Sequence, residues 1–259
     1  MQYPWIRVEF GKTSLVTNLA GAIISIMKNK KVLIVDTDGQ GSSIEAFGFD
    51  PDNLKHTIYD VLIGQKRAKD VIVKLDKNLD ILPSNFDMNF FEFDILPEIE
   101  KYPFPTYFRL LEKALETIKN DYDYILIDTP PSMGLVQMNV LAIADKIIIP
   151  VVPETFSMKG LPRILKGIND FKKEQNPKLE IAGVVFTMVD YRTSLHSDFA
   201  PKIKQYCINS GIHYFESEIK KSIRFADATA SEGKPATLTK YKKNEIVQSY
   251  FELTKEMFR

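Results

Sequence analysis

The chain has 259 residues, and its 34 lysines and arginines are balanced by 34 aspartates and glutamates, for a formal net charge of zero. That length suits a single α/β domain with a sizeable core. The even charge gives no global attraction to nucleic acid, so any DNA-binding surface has to be a local patch. The lone cysteine, Cys207, excludes an internal disulfide framework and by itself holds neither zinc nor an iron–sulfur cluster, which fits a reducing, cytoplasmic setting.

In chain order, the first recognisable element is Gly11-Lys12-Thr13-Ser14 at the head of a helical pattern from Thr13 to Lys28. This matches the last part of a P-loop, in which backbone amides and a helix N-terminus hold phosphates, Lys12 contacts the β/γ oxygens and Thr13 ligates Mg²⁺. A bare Gly-Lys-Thr also occurs by chance, and taken alone it reads as an ordinary helix start with Thr13 or Ser14 near the cap. The apolar stretch Leu19–Met27 is too short to span a bilayer and lacks a signal-peptide cleavage pattern.

Runs rich in β-branched and aliphatic residues predict buried parallel strands at Lys31–Asp36, Leu79–Pro83, Tyr124–Asp128, Lys146–Val152 and Ile181–Thr187. Helical spacing between them appears at Phe104–Asn120 and Leu161–Glu174. The alternation predicts an α/β fold, a single domain with a mostly parallel sheet covered by helices on both faces. Its chemistry belongs at the carboxyl ends of the strands. Two strands end in acids there. Val32–Ser43 places Asp36, Asp38 and Gln40 beyond a strand, and Tyr124-Ile-Leu-Ile-Asp-Thr-Pro-Pro131 ends an apolar strand in Asp128, the expected Walker-B position. Singly, each aspartate reads equally well as a turn or helix cap; the ordered set of three motifs does not.

With these residues in view, the chain resembles the ParA/Soj/MinD group of deviant Walker-A P-loop ATPases over nearly its whole length. Asp36-Thr-Asp-Gly-Gln-Gly41 resembles the group's Asp-x-Asp-Pro-Gln-Gly segment with Gly39 in place of proline, and Ile127-Asp-Thr-Pro-Pro-Ser132 its Walker-B and switch region. Thr57–Leu62, Asn78–Pro83, Met158–Leu161, Thr187–Thr193, Ile223–Ala228 and Gly233-Lys-Pro235 are similar to the partition ATPases rather than to the membrane-bound division regulators. The resemblance implies one ParA-like P-loop ATPase domain over 1–259, with ATP and Mg²⁺ at the interface of a homodimer. It also implies non-specific DNA binding by that dimer, at the nucleoid, and hydrolysis stimulated by a centromere-binding ParB-like partner. It assigns phosphate and metal binding to Gly11, Lys12, Thr13 and Ser14, the attacking water to Asp38, and support of the Mg²⁺ shell to Asp36 and Asp128.

The first half of the P-loop departs from the family's Lys-Gly-Gly-x-Gly-Lys pattern, because Arg7, Val8, Glu9 and Phe10 stand at its first four positions. Val8 and Glu9 replace glycines that let the backbone curl around phosphate. A Glu9 carboxylate near the phosphates would repel them by about 4 kcal/mol for unit charges about 4 Å apart at an effective dielectric of about 20. Codons for Lys-Gly-Gly-Val, read one base later with one base added, encode Arg-Val-Glu-Phe. A frame-shifted start to an ordinary P-loop is therefore one reading, and a nucleotide-binding-impaired paralogue or pseudogene product, acting as a binding module, is the other.

Lys220, Lys221 and Arg224 head the densest basic cluster of the carboxyl-terminal third and, with the resemblance, are the predicted DNA patch. The final apolar pattern, Ile246–Phe258, predicts a helix packed on the domain rather than one lying on a membrane as in a MinD-like regulator, so no membrane partner is expected. His56, His196 and His213 lack metal-ligand spacing, and Trp5 and the Phe90–Phe93 aromatics read as core or interface.

Overall fold

Strands β1 (Trp5–Val8), β2 (Val32–Asp36), β3 (Val73–Asp76), β4 (Leu79–Leu82), β5 (Tyr124–Asp128), β6 (Lys146–Val151), β7 (Glu180–Val189) and β8 (Ile219–Lys220) form one sheet in the order β3-β4-β2-β5-β1-β6-β7-β8. The computed structural model describes residues 5–8, 13–101, 104–131 and 134–259, the first of these segments through its backbone. All pairings are parallel except that of edge strand β3 with β4.

The helices are α1 (Thr13–Ile26), α2 (Ser42–Glu45), α3 (Ile58–Leu62), α4 (Phe91–Ile95), α5 (Leu110–Leu115), α6 (Leu135–Ile143), α7 (Thr155–Gln175), α8 (Ser194–Asn209), α9 (Arg224–Glu232) and α10 (Glu245–Met257). Successive strand residues point to opposite faces. Val32 and Ile34 pack with Leu15, Leu19 and Ile23 of α1 and with Val247 and Leu253 of α10. Leu33 and Val35 pack on the other face with Ile58, Phe91, Leu111 and Val140 of α3 to α6. Beyond β1, Ile147, Ile149 and Phe186 pack with Leu165 of α7 and Ile203 of α8. Burial on both faces explains why the strands read as continuous apolar runs.

The predicted strands at Lys31–Asp36, Leu79–Pro83, Tyr124–Asp128, Lys146–Val152 and Ile181–Thr187 all form, with ends within a few residues. The helix expected over Phe104–Asn120 is shorter. Only Leu110–Leu115 is α-helical, flanked by 3-10 turns at Thr106–Phe108 and Lys119–Asp121; Pro105, which lacks an N–H, precedes it. The terminal pattern is α10, and its buried Val247, Tyr250, Phe251 and Leu253 pack it onto the domain. Among the described residues, no helix is long and apolar enough to cross a membrane.

Candidate functional site

Register places the site. β1, β2 and β5 are neighbours, and Val8 and Asp36 both lie level with Asp128 at the carboxyl end of the sheet. The next element after β1 is α1, whose first residue is Thr13. The α1 N-terminus therefore opens beside Asp128, the arrangement that suits an anion. Gly11 and Lys12, like Glu9 and Phe10, lie outside the described residues. Arg7 and Val8 are strand residues paired to Ile127 and Asp128 on one side and to Ile147 and Ile148 on the other, so these two residues of the divergent segment belong to the first strand.

Asp36 and Asp128 are almost completely buried side by side. The two oxygens of Asp36 accept the backbone N–H groups of Asp38 at 3.0 Å and Ser43 at 3.2 Å, which curls the chain after β2 back over the strand end. Asp128 Oδ2 accepts the Ser43 hydroxyl at 2.9 Å, and the Thr13 hydroxyl hydrogen-bonds to the same carboxyl. Thr37 donates its N–H and its hydroxyl to the Asp128 carbonyl, at 3.0 and 2.7 Å. Asp128 Oδ1 is buried and has no hydrogen-bond partner among the described residues. Burial above all, then the Asp128 charge, raises the Asp36 carboxyl well above the usual carboxylate range, against the pull of the Asp38 and Ser43 amides. Burial pushes Asp128 up to about 6, with the Thr13 and Ser43 hydroxyls opposing and the Asp38 charge adding to the rise.

Among the described residues, two buried carboxylates, an oxygen without a hydrogen-bond partner and an adjacent threonine hydroxyl come together here. A hard divalent cation such as Mg²⁺, held by one or two carboxylates, phosphates and water, fits this donor set. Asp38 is half-buried on the loop above, its Oδ1 accepting the Gln40 N–H at 3.0 Å.

A cleft of about 540 Å³ opens beside α1, lined by Thr13, Ser14, Ser42, Lys220, Lys221 and Tyr250. Ser14 Oγ lies 3.3 Å from the hydroxyl of buried Tyr250, which ties α10 to the start of α1. Lys220 and Lys221 are thus brought to the cleft at the start of α1, and they also line a second cleft of about 510 Å³ with Asp190, Tyr191 and Arg192. Arg224 heads α9 and stacks over the Tyr241 ring at 5.9 Å, with Lys240 over the same ring at 5.2 Å. The basic cluster is therefore distributed along the β8–α9 segment rather than gathered at one point.

Sequence reasoning gave no role to Ser43, Thr37, Tyr250 or Glu92. Ser43 sat in the quoted Val32–Ser43 segment, but its partner lies on another strand. Glu92, which caps α6 through the Leu135 N–H at 2.6 Å, carried no local signal.

A sequence profile for a family described as an AAA domain matches residues 9–181. The sporulation initiation inhibitor protein Soj of Bacillus subtilis is 32% identical over 248 residues, covering 95% of this chain and 93% of Soj. The chain belongs to the ParA/Soj family of P-loop ATPases. The chromosome partitioning protein ParA of Caulobacter vibrioides is 32% identical over 95% of this chain and 89% of its own length. Among solved structures, the cobyrinic acid a,c-diamide synthase of Mycobacterium smegmatis, with bound ATP analogue and magnesium, superposes with a TM-score of 0.81. That match spans 100% of this chain and 95% of the synthase at 24% identity, so it bears on the ParA/Soj fold alone.

Proposed function

We propose that this ParA/Soj-family chain is a partition ATPase that binds ATP with Mg²⁺, dimerises around the nucleotide, holds DNA without sequence preference, and releases it on hydrolysis. A centromere-binding, ParB-like partner stimulates that hydrolysis in this reading. The observation that carries it is Asp128, a buried carboxylate with an unpartnered Oδ1 at the α1 N-terminus, beside Asp36 and hydrogen-bonded to Thr13 and Ser43. The M. smegmatis neighbour holds an ATP analogue and magnesium in the same fold.

Mg²⁺, when bound, would supply positive charge that offsets the charge of the nucleotide phosphates. Thr13 and Asp128 would hold it, with Asp36 supporting that shell and shaping the loop through the Asp38 and Ser43 amides. Lys12 and the amides at the α1 N-terminus hold phosphate oxygens. Asp38, standing on that loop, orients the attacking water. Positioning and charge are nearly all that phosphoryl transfer requires of the protein. Lys220, Lys221 and Arg224 serve DNA phosphates, and the place of Lys220 and Lys221 on the nucleotide cleft would couple DNA contact to nucleotide state.

Residues 7 to 10 weaken this chain's grip on ATP, because two glycines of the family's loop are absent and Glu9 adds a negative charge. The second reading, a nucleotide-impaired binding module, is favoured by that segment alone. Magnesium-dependent ATP binding, followed by phosphate release with and without DNA, tests the proposal. An active ATPase turns ATP over, whereas a binding module holds DNA with no nucleotide response.

A further inference from the structure

Between β4 and α5, the segment 86–95 touches both loops of the candidate site. Met88, Phe91 and Ile95 are buried in the core and fix the segment in place. Asn89 lies over Gly39, where a Cβ would come within 2.5 Å of the Asn89 amide. The family's proline at that position would meet the same side chain. Glu92 Oε1 accepts the Leu135 N–H at 2.6 Å, at the first residue of α6. Gly134 sits so close that any Cβ there would collide with the same carboxylate oxygen.

Gly134 is the N-cap of α6 and has no side chain to offer, so α6 receives its cap from another element. A carboxylate at this point also complements the positive end of the helix. One short segment therefore packs Asn89, held by its own hydrogen bond to the Phe86 carbonyl, against Gly39 of the loop carrying Asp38 and Gln40, and caps the start of α6 through Glu92. Its outer face is apolar: Phe86, Phe90 and Phe93 are 58, 48 and 75% exposed, and Phe86 and Phe90 meet edge to face at 5.7 Å.

We propose that Glu92 is a positioning residue for hydrolysis. Through the α6 amide it fixes the loop after Asp128 relative to the Asp38 loop, and it touches no substrate itself. The inference rests on the reading of the site as ATP-hydrolysing. Glu92→Ala removes the acceptor, and Glu92→Gln keeps an uncharged one. Asn89→Ala, at an exposed residue, tests the same clamp from the other loop without threatening the fold.

The experiment measures amide hydrogen exchange at Leu135, Gly39 and Gln40, the affinity for a fluorescent ATP analogue with Mg²⁺, and single-turnover phosphate release. Glu92→Ala is expected to speed exchange at all three amides about tenfold. It should leave nucleotide affinity within about twofold and slow turnover about tenfold, with Glu92→Gln recovering most of both. Asn89→Ala should speed exchange at Gly39 and Gln40. Faster exchange confined to Leu135, or unchanged turnover of bound ATP in Glu92→Ala, overturns the proposal. A chain that releases no phosphate even with residues 7 to 10 replaced by Lys-Gly-Gly-Val refutes the assigned activity, while exchange at Gly39 and Gln40 still decides whether the clamp exists.

Discussion

Ser43 donates its hydroxyl to Asp128 Oδ2 at 2.9 Å across the gap between the loop after β2 and the end of β5. Its own N–H goes to Asp36, so one residue ties together both buried carboxylates. Ser43→Ala leaves the buried Asp128 carboxyl with one donor fewer. It should cost about 1–3 kcal/mol of stability, read from the urea midpoint at unchanged slope. A loss below a few tenths of a kcal/mol would show that the bond has no energetic weight.

Asp128 should make the metal-free protein less stable as pH rises. Its folded-state carboxyl is pushed up to about 6, mainly by burial, whereas an unfolded aspartate titrates near 3.9. Between those values the folded state holds a proton that the unfolded state has lost, so stability is full below about pH 4 and declines toward about pH 6. Asp36, raised in the same direction, adds to the decline. Asp128→Asn removes the charge and should raise stability at pH 8 by about 1–2 kcal/mol while weakening magnesium-dependent nucleotide binding. Thermal unfolding from pH 4 to 8 without divalent cations checks the sign; a wild-type curve that climbs with pH over that range while Asp128→Asn stays flat would contradict it.

Lys12 and Asp38 should fail differently. In the chain carrying Lys-Gly-Gly-Val at positions 7 to 10, Lys12→Ala should abolish ATP-dependent dimerisation with the fold intact, and Asp38→Ala should permit ATP binding and dimerisation but stop hydrolysis. Light scattering and phosphate release separate the two, and identical behaviour would refute the assigned roles.

The basic residues of β8 and α9 make a salt-dependent prediction. Changing Lys220, Lys221 and Arg224 to alanine should weaken binding to unrelated DNA sequences equally and flatten the dependence of affinity on salt. Lys220 and Lys221 line the cleft beside α1, so nucleotide affinity is measured on the same protein. DNA affinity unchanged at low and moderate salt would remove these residues from the DNA surface.

The sequence made the central sheet legible because β2, β4, β5 and β6 are buried on both faces and so are mostly apolar, β4 breaking its run only at Asp80, which accepts the Tyr122 hydroxyl. It concealed β1, whose four residues include Arg7, and the short edge strands β3 and β8, where Val73–Asp76 alternates with charge and Ile219–Lys220 spans two residues. Asp36 and Asp128 were visible because each ends such a strand. Ser43, Tyr250 and Glu92 were not, since their partners are distant in sequence and their types carry no periodic signal: Tyr250 meets Ser14, and Glu92 meets Leu135.

Titrating a fluorescent ATP analogue with Mg²⁺ into the chain as it stands, and into a version carrying Lys-Gly-Gly-Val at positions 7 to 10, tests the account most directly. The present chain should bind poorly, and the replaced one should recover micromolar-range affinity, about −8 kcal/mol, through a restored amide nest without the Glu9 charge. Equally tight binding by both would show that the divergent segment holds phosphate as it is. No binding by the replaced chain would contradict the assignment of a nucleotide site to Thr13, Asp36 and Asp128.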